Sequence, residues 1–345
     1  MDGTGGLSVV EQIADLIEEN QRFLISTHLS PDGDAIGSQL ALKGLLDQLG
    51  KVVVLINADR TPKRFSFLKG IDEILQPDGK LHEEIDEIDV WFVVDCGDID
   101  RVGEDVLKLV GEGKRVVNID HHSDNTRFGD LNWVVRLSST AEAIHEFSRF
   151  LAVKLTPEIA TALYTGIVFD TGSFRNANTR ARVFRRCAEL LECGVDARQI
   201  VIHLYEQERF EKFTLLGEVL KGIRRSETGI VWGSVTQDLL TRTQTTMEDT
   251  IGIIETLRTI VRTEVAILFK ELDRGEVKVS FRSKGGLDVD VIAHRFGGGG
   301  HAKAAGCKIE GELHEVESRV LEEVERRLRG EIPPEAGTDA PRSRG

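Results

Sequence analysis

Val116-Val117-Asn118-Ile119-Asp120-His121-His122 decides how the chain is read. An apolar run of this length predicts a buried strand, and it stops on three residues that bind metals or move protons. Strands apolar along their whole length suit a parallel sheet covered on both faces, where sites sit just beyond the carboxyl ends. Working outward, Phe23 to Thr27 predicts a strand ending at His28, and Val90 to Val94 one that ends on Asp95. Val52 to Ile56 adds another. Helical spacing is predicted over 8–20, 35–49 (closed by Gly50), around 106–110, 140–152 and 157–169, the last ending at Asp170. Alternating strands and helices give an α/β fold, an N-terminal doubly wound, mostly parallel sheet.

From Gly229 the pattern changes. Strands are predicted at 230–235, 265–269 and 277–281, with helices around 247–260, 288–295 and 313–329. This predicts a smaller C-terminal α/β domain joined to the first by a helical linker. The expected division is a metal-binding catalytic domain at 1–195, a linker at 196–225, a substrate-binding domain at 226–330 and a disordered tail at 331–345.

A chain of 345 residues is long for one core, and 40% apolar with 30% charged residues is ordinary for a globular protein. No apolar run approaches the roughly 18 residues of a membrane span. The segment Met1 to Gly6 lacks a signal-peptide pattern, so a cytoplasmic protein with no membrane partner is expected. Cys96, Cys187, Cys193 and Cys307 show neither a disulfide framework nor zinc-finger spacing. A net charge of −14 argues against a surface that tracks duplex nucleic acid, though not against a small anion held by local cations.

The chemistry gathers at strand ends. His28, Asp95, Asp120 and His121 stand there, Asp32 and Asp34 flank a tight turn after His28, and Asp170 closes a long apolar helix. Singly, each has an ordinary explanation: a satisfied histidine, a turn former, a helix cap. Jointly, at one edge of one sheet, they predict a metal site. Asp32 and Asp34, one residue apart, suit two adjacent ions better than one. Carboxylates with imidazoles and no thiolate favour two Mn2+ ions, or Mg2+ or Fe2+, over structural zinc. Such a pair hydrolyses phosphate esters.

The second half offers Gly297-Gly298-Gly299-Gly300-His301, read as a loop whose backbone N–H groups can approach an anion. Arg282, at the end of the strand over 277–281, adds charge to the same edge. Gly298, Gly299, Gly300, His301 and Arg282 are the candidate substrate-binding residues, with a flexible hinge as the plainer alternative for the glycines.

His28-x-x-x-Asp32-x-Asp34, Asp95, Asp120-His121-His122 and Asp170-Thr171-Gly172 together resemble the motif series of the DHH phosphoesterase superfamily. Phe296 to Gly306 resembles the glycine-rich motif of the first type of DHH-associated domain. The resemblance covers about 15–309, in the family's order, and size and domain content look like its nanoRNase/pAp-phosphatase branch. It implies Mn2+-dependent hydrolysis of very short single-stranded RNA to 5'-mononucleotides, and of 3'-phosphoadenosine 5'-phosphate (pAp) to AMP. It also implies a homodimer. His28 and Asp32 would hold one metal and Asp34, His121 and Asp170 the other, with Asp95 bridging. Asp120 would orient His121, and His122 would face the scissile phosphate, which makes His122, Asp120 and Asp95 the catalytic candidates. Arg282 and the Gly298–His301 segment would grip the nucleotide.

Other readings of the same residues are a phosphodiesterase of cyclic dinucleotides such as c-di-AMP or their linear products, and a nucleotide-binding regulator of slow turnover. A protein phosphatase or pyrophosphatase would share the metals but not the pocket. The small size argues against a processive RecJ-type exonuclease.

Overall fold

The computed structural model describes residues 8–77, 85–272 and 275–331, in two units, one reaching Gln207 and the other starting at Glu208. The first unit opens with helix α1 (Val9–Glu19), started by a reciprocal cap: Ser8 Oγ accepts from the Glu11 N–H, and the Glu11 carboxylate accepts from the Ser8 N–H. There follow β1 (Arg22–Ser26), α2 (Gly33–Gln48), β2 (Val52–Ile56), β3 (Ile74–Leu75), β4 (Val90–Val94), α3 (Glu104–Val110), β5 (Arg115–Asp120) and β6 (Leu131–Val134). Helices α4 (Thr140–Phe150), α5 (Pro157–Asp170), α6 (Ala181–Glu192) and α7 (Ala197–Tyr205) complete it.

The six strands are all parallel, in the order β3-β2-β1-β4-β5-β6. Because side chains alternate along a strand, each central strand feeds two cores. Phe23, Ile25, Phe92, Val94, Val117 and Ile119 join α1, α2, α4 and α5 on one face. Leu24, Trp91 and Val93 meet Val102, Val106 and Leu109 on the other. That double burial is what a run such as Val90-Trp91-Phe92-Val93-Val94 requires. Strand order reverses between β1 and β4, so the chain departs in opposite directions from their neighbouring carboxyl ends. A crevice opens at such a point.

Helix α2 lies directly on α5. A Cβ on Gly37 would stand 2.4 Å from the Ala162 carbonyl oxygen and 3.1 Å from the Gly166 nitrogen, and one on Gly166 would stand 3.3 Å from the Asp34 Cα. The glycines let the helices approach backbone to backbone, which brings the start of α2 close to the end of α5.

The second unit comprises α8 (Phe210–Lys221), β7 (Arg224–Arg225), β8 (Ile230–Val235), α9 (Gln237–Thr243), α10 (Ile253–Thr259), β9 (Val265–Leu272), β10 (Glu276–Ser283), α11 (Val289–Arg295), β11 (Gly299–His301), β12 (Ala304–Glu310) and α12 (Leu313–Leu328). Its sheet runs β11-β12-β10-β9-β8-β7, with β8 and β9 parallel and the other neighbours antiparallel. Val277, Val279, Phe281 and Val265 pack with α11 and α12 on one face. Val231, Val235, Ala266 and Leu268 pack with α8, α9 and α10 on the other. No helix among the described residues is long and apolar enough to cross a membrane.

Several expectations need correction. The four-glycine segment is not a loop: Gly299–His301 is a strand paired with Ala304–Gly306. Its glycines serve contact within the hairpin, since a Cβ on Gly298 would stand 2.2 Å from the Gly306 carbonyl oxygen. The single helix expected over 247–260 is a short 3-10 turn, Met247–Thr250, and then α10, separated by Gly252 in a left-handed conformation (φ +94°). Within 196–225, Ile200 and Leu204 join the first unit's core and Leu215 and Val219 the second's, which leaves the expected helical linker neither supported nor overturned. Strands β3, β6, β7 and β12 and helix α9 were unread, being too short or too mixed to show a period. The expected tail beyond Glu331 and the His301 side chain lie outside the described residues.

The helix contact gives a paired prediction. Gly37→Ala forces a methyl group onto backbone and should cost about 1–3 kcal/mol, as overpacking does. Gly217→Ala, in α8 with nothing within 4 Å of its new methyl, should stabilise by up to about 1 kcal/mol. Urea midpoints of the two variants should move in opposite directions from the parent.

Candidate metal centre

The carboxyl ends of β1, β4 and β5 deliver the first side chains. His28 lies two residues past β1, Asp95 directly follows β4, and Asp120 ends β5 with His121 and His122 behind it. Asp95 sits in the left-handed region at φ 55°, uncommon for a residue with a side chain and typical of functional positions. Helix α2 supplies Asp32 as its cap, whose Oδ1 accepts from the Asp34 and Ala35 N–H groups at 2.9 and 3.2 Å. Asp34 follows in the first turn, and Asp170 comes from the end of α5.

These side chains converge. Asp95 Oδ2 lies 3.7 Å from His28 Nε2, and Asp95 Oδ1 lies 3.6 Å from His121 Nε2. His121 Nε2 is also 3.8 Å from Asp34 Oδ2 and 3.8 Å from Asp170 Oδ2. One carboxylate thus faces an imidazole from each of its oxygens. Donor atoms of His28, Asp32 and Asp95 form one close group, and those of Asp95, His121 and His122 another.

The spacing is too long for hydrogen bonds. It matches donors that share a cation at roughly 2.0–2.2 Å each, which leaves neighbouring donors roughly 3–4 Å apart. His28 sharpens the point. Its Nδ1–H donates to the Leu29 carbonyl at 2.7 Å, so its Nε2 is turned on the Asp95 carboxylate, a pairing that needs a proton or a metal between them.

Electrostatics says the same. Asp34 and Asp95 are buried, Asp32 and Asp170 half-buried, and no lysine or arginine forms an ion pair with any of them among the described residues. Burial first, then repulsion from Asp95, raises Asp32 above the usual carboxylate range and Asp34 well above it. Burial lifts Asp170 to about 6, against the pull of His121. Burial would raise Asp95 too, but its contacts with His28, His121 and His122 hold it below the usual range. Like-charged groups packed this closely resist ionisation unless a cation joins them. The donor set fits two divalent ions, and the cluster is a candidate divalent-metal site.

The surrounding contacts orient the donors. Asp34 Oδ2 accepts from the Thr140 N–H at 2.6 Å and Oδ1 from the Ala141 N–H at 2.8 Å, so the first turn of α4 faces the carboxylate, a favourable end for an anion. Thr140 Oγ1 donates to Asp95 Oδ1 at 2.9 Å. Asn178 Nδ2 donates to Asp170 Oδ2 at 3.1 Å.

One expectation is overturned. Asp120 orients His122, not His121: its Oδ1 accepts from His122 Nδ1 at 2.8 Å, while its Oδ2 accepts from Asn125 Nδ2 at 2.6 Å. Burial opposes a charge on His122, yet the hydrogen bond to Asp120 and the nearby Asp95 push its pKa up to about 9. With Nδ1–H committed to Asp120, Nε2 is the ring atom left for other partners.

Sequence reasoning missed Thr140, Asn125, Asn178 and Arg64. Arg64 lies 5.2 and 5.4 Å from the ring centroids of Phe65 and Phe169, the latter just before Asp170. Ser138-Ser139-Thr140 ahead of an apolar helix is a legible start signal that could have drawn attention to Thr140. The two asparagines carry no sequence signal at all.

The second-unit candidates stand at their own edge. Arg282 pairs in register with Ala304, and Ala304 with His301, so Arg282 shares a cross-strand row with the glycine hairpin. Arg282 is partly engaged, since its Nε donates to Glu255 Oε1 and its Nη1 to the Phe281 carbonyl, both at 3.0 Å.

Residues 22–167 match the family model described as the DHH family, N-terminal domain, and residues 234–330 match that of the DHHA1 domain. A Thermus thermophilus protein named bifunctional oligoribonuclease and PAP phosphatase NrnA is 37% identical over 307 residues, 88% of this chain and 89% of that one. A Bacillus subtilis protein of the same name is 28% identical, over 83% of this chain and 89% of its own length. The crystal structure of an exopolyphosphatase-related protein from Bacteroides fragilis is similar with a TM-score of 0.88 and 25% identity, covering 95% of this chain and all of that one. With the strand-end acids and histidines in one cluster, these likenesses settle the assignment: the chain belongs to the DHH phosphoesterase family, a hydrolase of phosphate esters with a DHH domain followed by a DHHA1 domain.

Proposed function

We propose that the chain hydrolyses very short oligoribonucleotides to 5'-mononucleotides, and pAp to AMP, with two Mn2+ or Mg2+ ions. The observation that carries the metal part is Asp95, whose two oxygens face His28 and His121. The substrate part rests on the names of the Thermus and Bacillus relatives. His28, Asp32 and Asp95 would hold one ion, and Asp34, Asp95, His121 and Asp170 the other. Such a pair supplies charge neutralisation at phosphoryl oxygens and a hydroxide at neutral pH.

The chain's own residues prepare the reaction. Thr140 fixes the rotamer of Asp95 through Oδ1, so that both carboxylate oxygens keep their directions. Asp120, itself held by Asn125, keeps the Nδ1 proton on His122 and leaves Nε2–H to donate to a phosphoryl or leaving oxygen. In the second unit, Arg282 and the Gly298–His301 hairpin would grip the nucleotide's other phosphate or its sugar.

Two activity measurements test this. On a dinucleotide with Mn2+, Asp95→Ala should lose at least about 100-fold in kcat, and activity within tenfold of the parent would remove the two-sided role. A panel of dinucleotide, pAp, cyclic di-AMP and pyrophosphate at equal concentration should show the first two turned over fastest. Preference for the cyclic compound or pyrophosphate would replace the substrate assignment, and tight binding without product would indicate a regulator.

Metal binding has a separate readout. Mn2+ should raise the Tm of chelator-treated protein. Asp34→Asn should abolish most of the Mn2+ response, and an unchanged response would exclude Asp34 as a ligand. Asp120→Asn, by contrast, should lower kcat by about 10–100-fold yet keep the Mn2+-induced shift, because Asp120 acts through His122. Loss of that shift would show that it supports the metals instead.

A further inference from the structure

The second unit's sheet carries a row of lysines that the proposed nucleotide grip does not use. In the antiparallel register, Lys278 on β10 is paired with Lys270 on β9 and with Lys308 on β12. Directly paired residues share a face, so the three side chains stand side by side, about 5 Å from strand to strand. It is the face opposite the core made by Val277, Val279, Phe281, Cys307 and Ile309.

That face is only half covered. The apolar cluster under α8, α9 and α10 takes in Ala266 and Leu268 of β9 but no residue of β10 or β12. Beyond Leu268 lie Lys270, half-buried, and Lys278 and Lys308, both exposed. No lysine of the row forms an ion pair among the described residues, although Glu276 and Glu310 stand in the next row out. Like charges placed opposite one another destabilise a sheet. Lys270 registers the cost: burial, then repulsion from Lys278 and Arg282, lowers its pKa to about 8. Protection against edge-to-edge association does not explain the arrangement, because Lys270 and Lys278 sit on inner strands.

Two rows along the same face from Lys278 stands Arg282, about 13 Å away at the rise of an extended strand. Between them the floor is small, with Ser280 paired to Gly306 and Gly306 to Gly299. A narrow, flat track thus joins the lysine row to Arg282, whose guanidinium is ion-paired with Glu255 at 3.0 Å, in a protein whose net charge is −14.

We propose that Lys270, Lys278 and Lys308 form a phosphate-binding ladder that extends the grip of Arg282 along a single-stranded oligonucleotide, so that strands longer than a dinucleotide are held more tightly. This rests on the oligonucleotide reading given above. The row's charge suits the backbone of a single strand, and the open face of small residues leaves room for the sugars. The metals and the scissile bond are no part of it.

The test compares substrates of two lengths with the Mn2+-loaded, full-length enzyme. The triple variant K270Q/K278Q/K308Q should lose at least tenfold in kcat/KM on a heptaribonucleotide and stay within twofold of the parent on a dinucleotide. The slope of log kcat/KM against log salt for the heptamer should shrink by about 2, at about 0.7 per neutralised phosphate on single strands. Replacing all three by arginine should preserve the heptamer rate. A heptamer rate within twofold in the glutamine variant, or a parallel fall on both substrates, would overturn the ladder. So would an unchanged heptamer rate with lost binding to phosphatidylglycerol vesicles, which would assign the row to an anionic lipid surface. A parent that cleaves neither RNA would refute the oligonucleotide reading itself, and the ladder with it.

Discussion

Carboxylates crowded away from water, with no lysine or arginine among the described residues in an ion pair with them, set the terms for the first unit. Asp34 and Asp95 lie in the interior, and Asp32 and Asp170 border them. Such a group is unfavourable unless main-chain amides, imidazoles and metal ions share its charge. The fold supplies the first two. The start of α4 gives two N–H groups to Asp34, the start of α2 gives two to Asp32, and two strand ends bring imidazoles to Asp95. What remains is a set of donors spaced for divalent cations.

The parallel sheet makes this arrangement possible. Its order reverses between β1 and β4, and their carboxyl ends carry His28 and Asp95 side by side. β5, next to β4, adds Asp120, His121 and His122. Residues far apart in sequence therefore meet without a long loop, on strands fixed by double-sided burial. The histidine pair divides its duties according to neighbours. His121 turns Nε2 toward three carboxylates, whereas His122 is tethered through Nδ1 to Asp120.

Much of the first unit was legible because its strands are nearly all apolar and end abruptly on ionisable residues. Val52–Ile56 and Val90–Val94 stand where the hydrophobic runs placed them, as does Ile230–Val235 in the second unit. The candidate donors could be named because His28, Asp95 and His121 stand just past strand ends and Asp32, Asp34 and Asp170 at helix termini. The pairing of Asp120 could not, since choosing between adjacent histidines depends on side-chain direction past the end of a strand. Asn125 and Asn178 were invisible because an amide in a loop looks like any turn residue. The glycine hairpin misled because glycine has no periodicity, and pairing with Ala304–Gly306 is a tertiary matter. The lysine row emerges only from register, which a sequence does not display.

Helices α2 and α5 meet without intervening side chains at Gly37, where backbone faces backbone. Asp34 and Asp170 ride on those two helices, so the gap between them is set by main-chain atoms that have no alternative rotamers. A side chain added at Gly37 would press on the backbone of α5, and one at Gly166 on Asp34 itself. The seating of both carboxylates is therefore tied to glycines that carry no donor atom of their own.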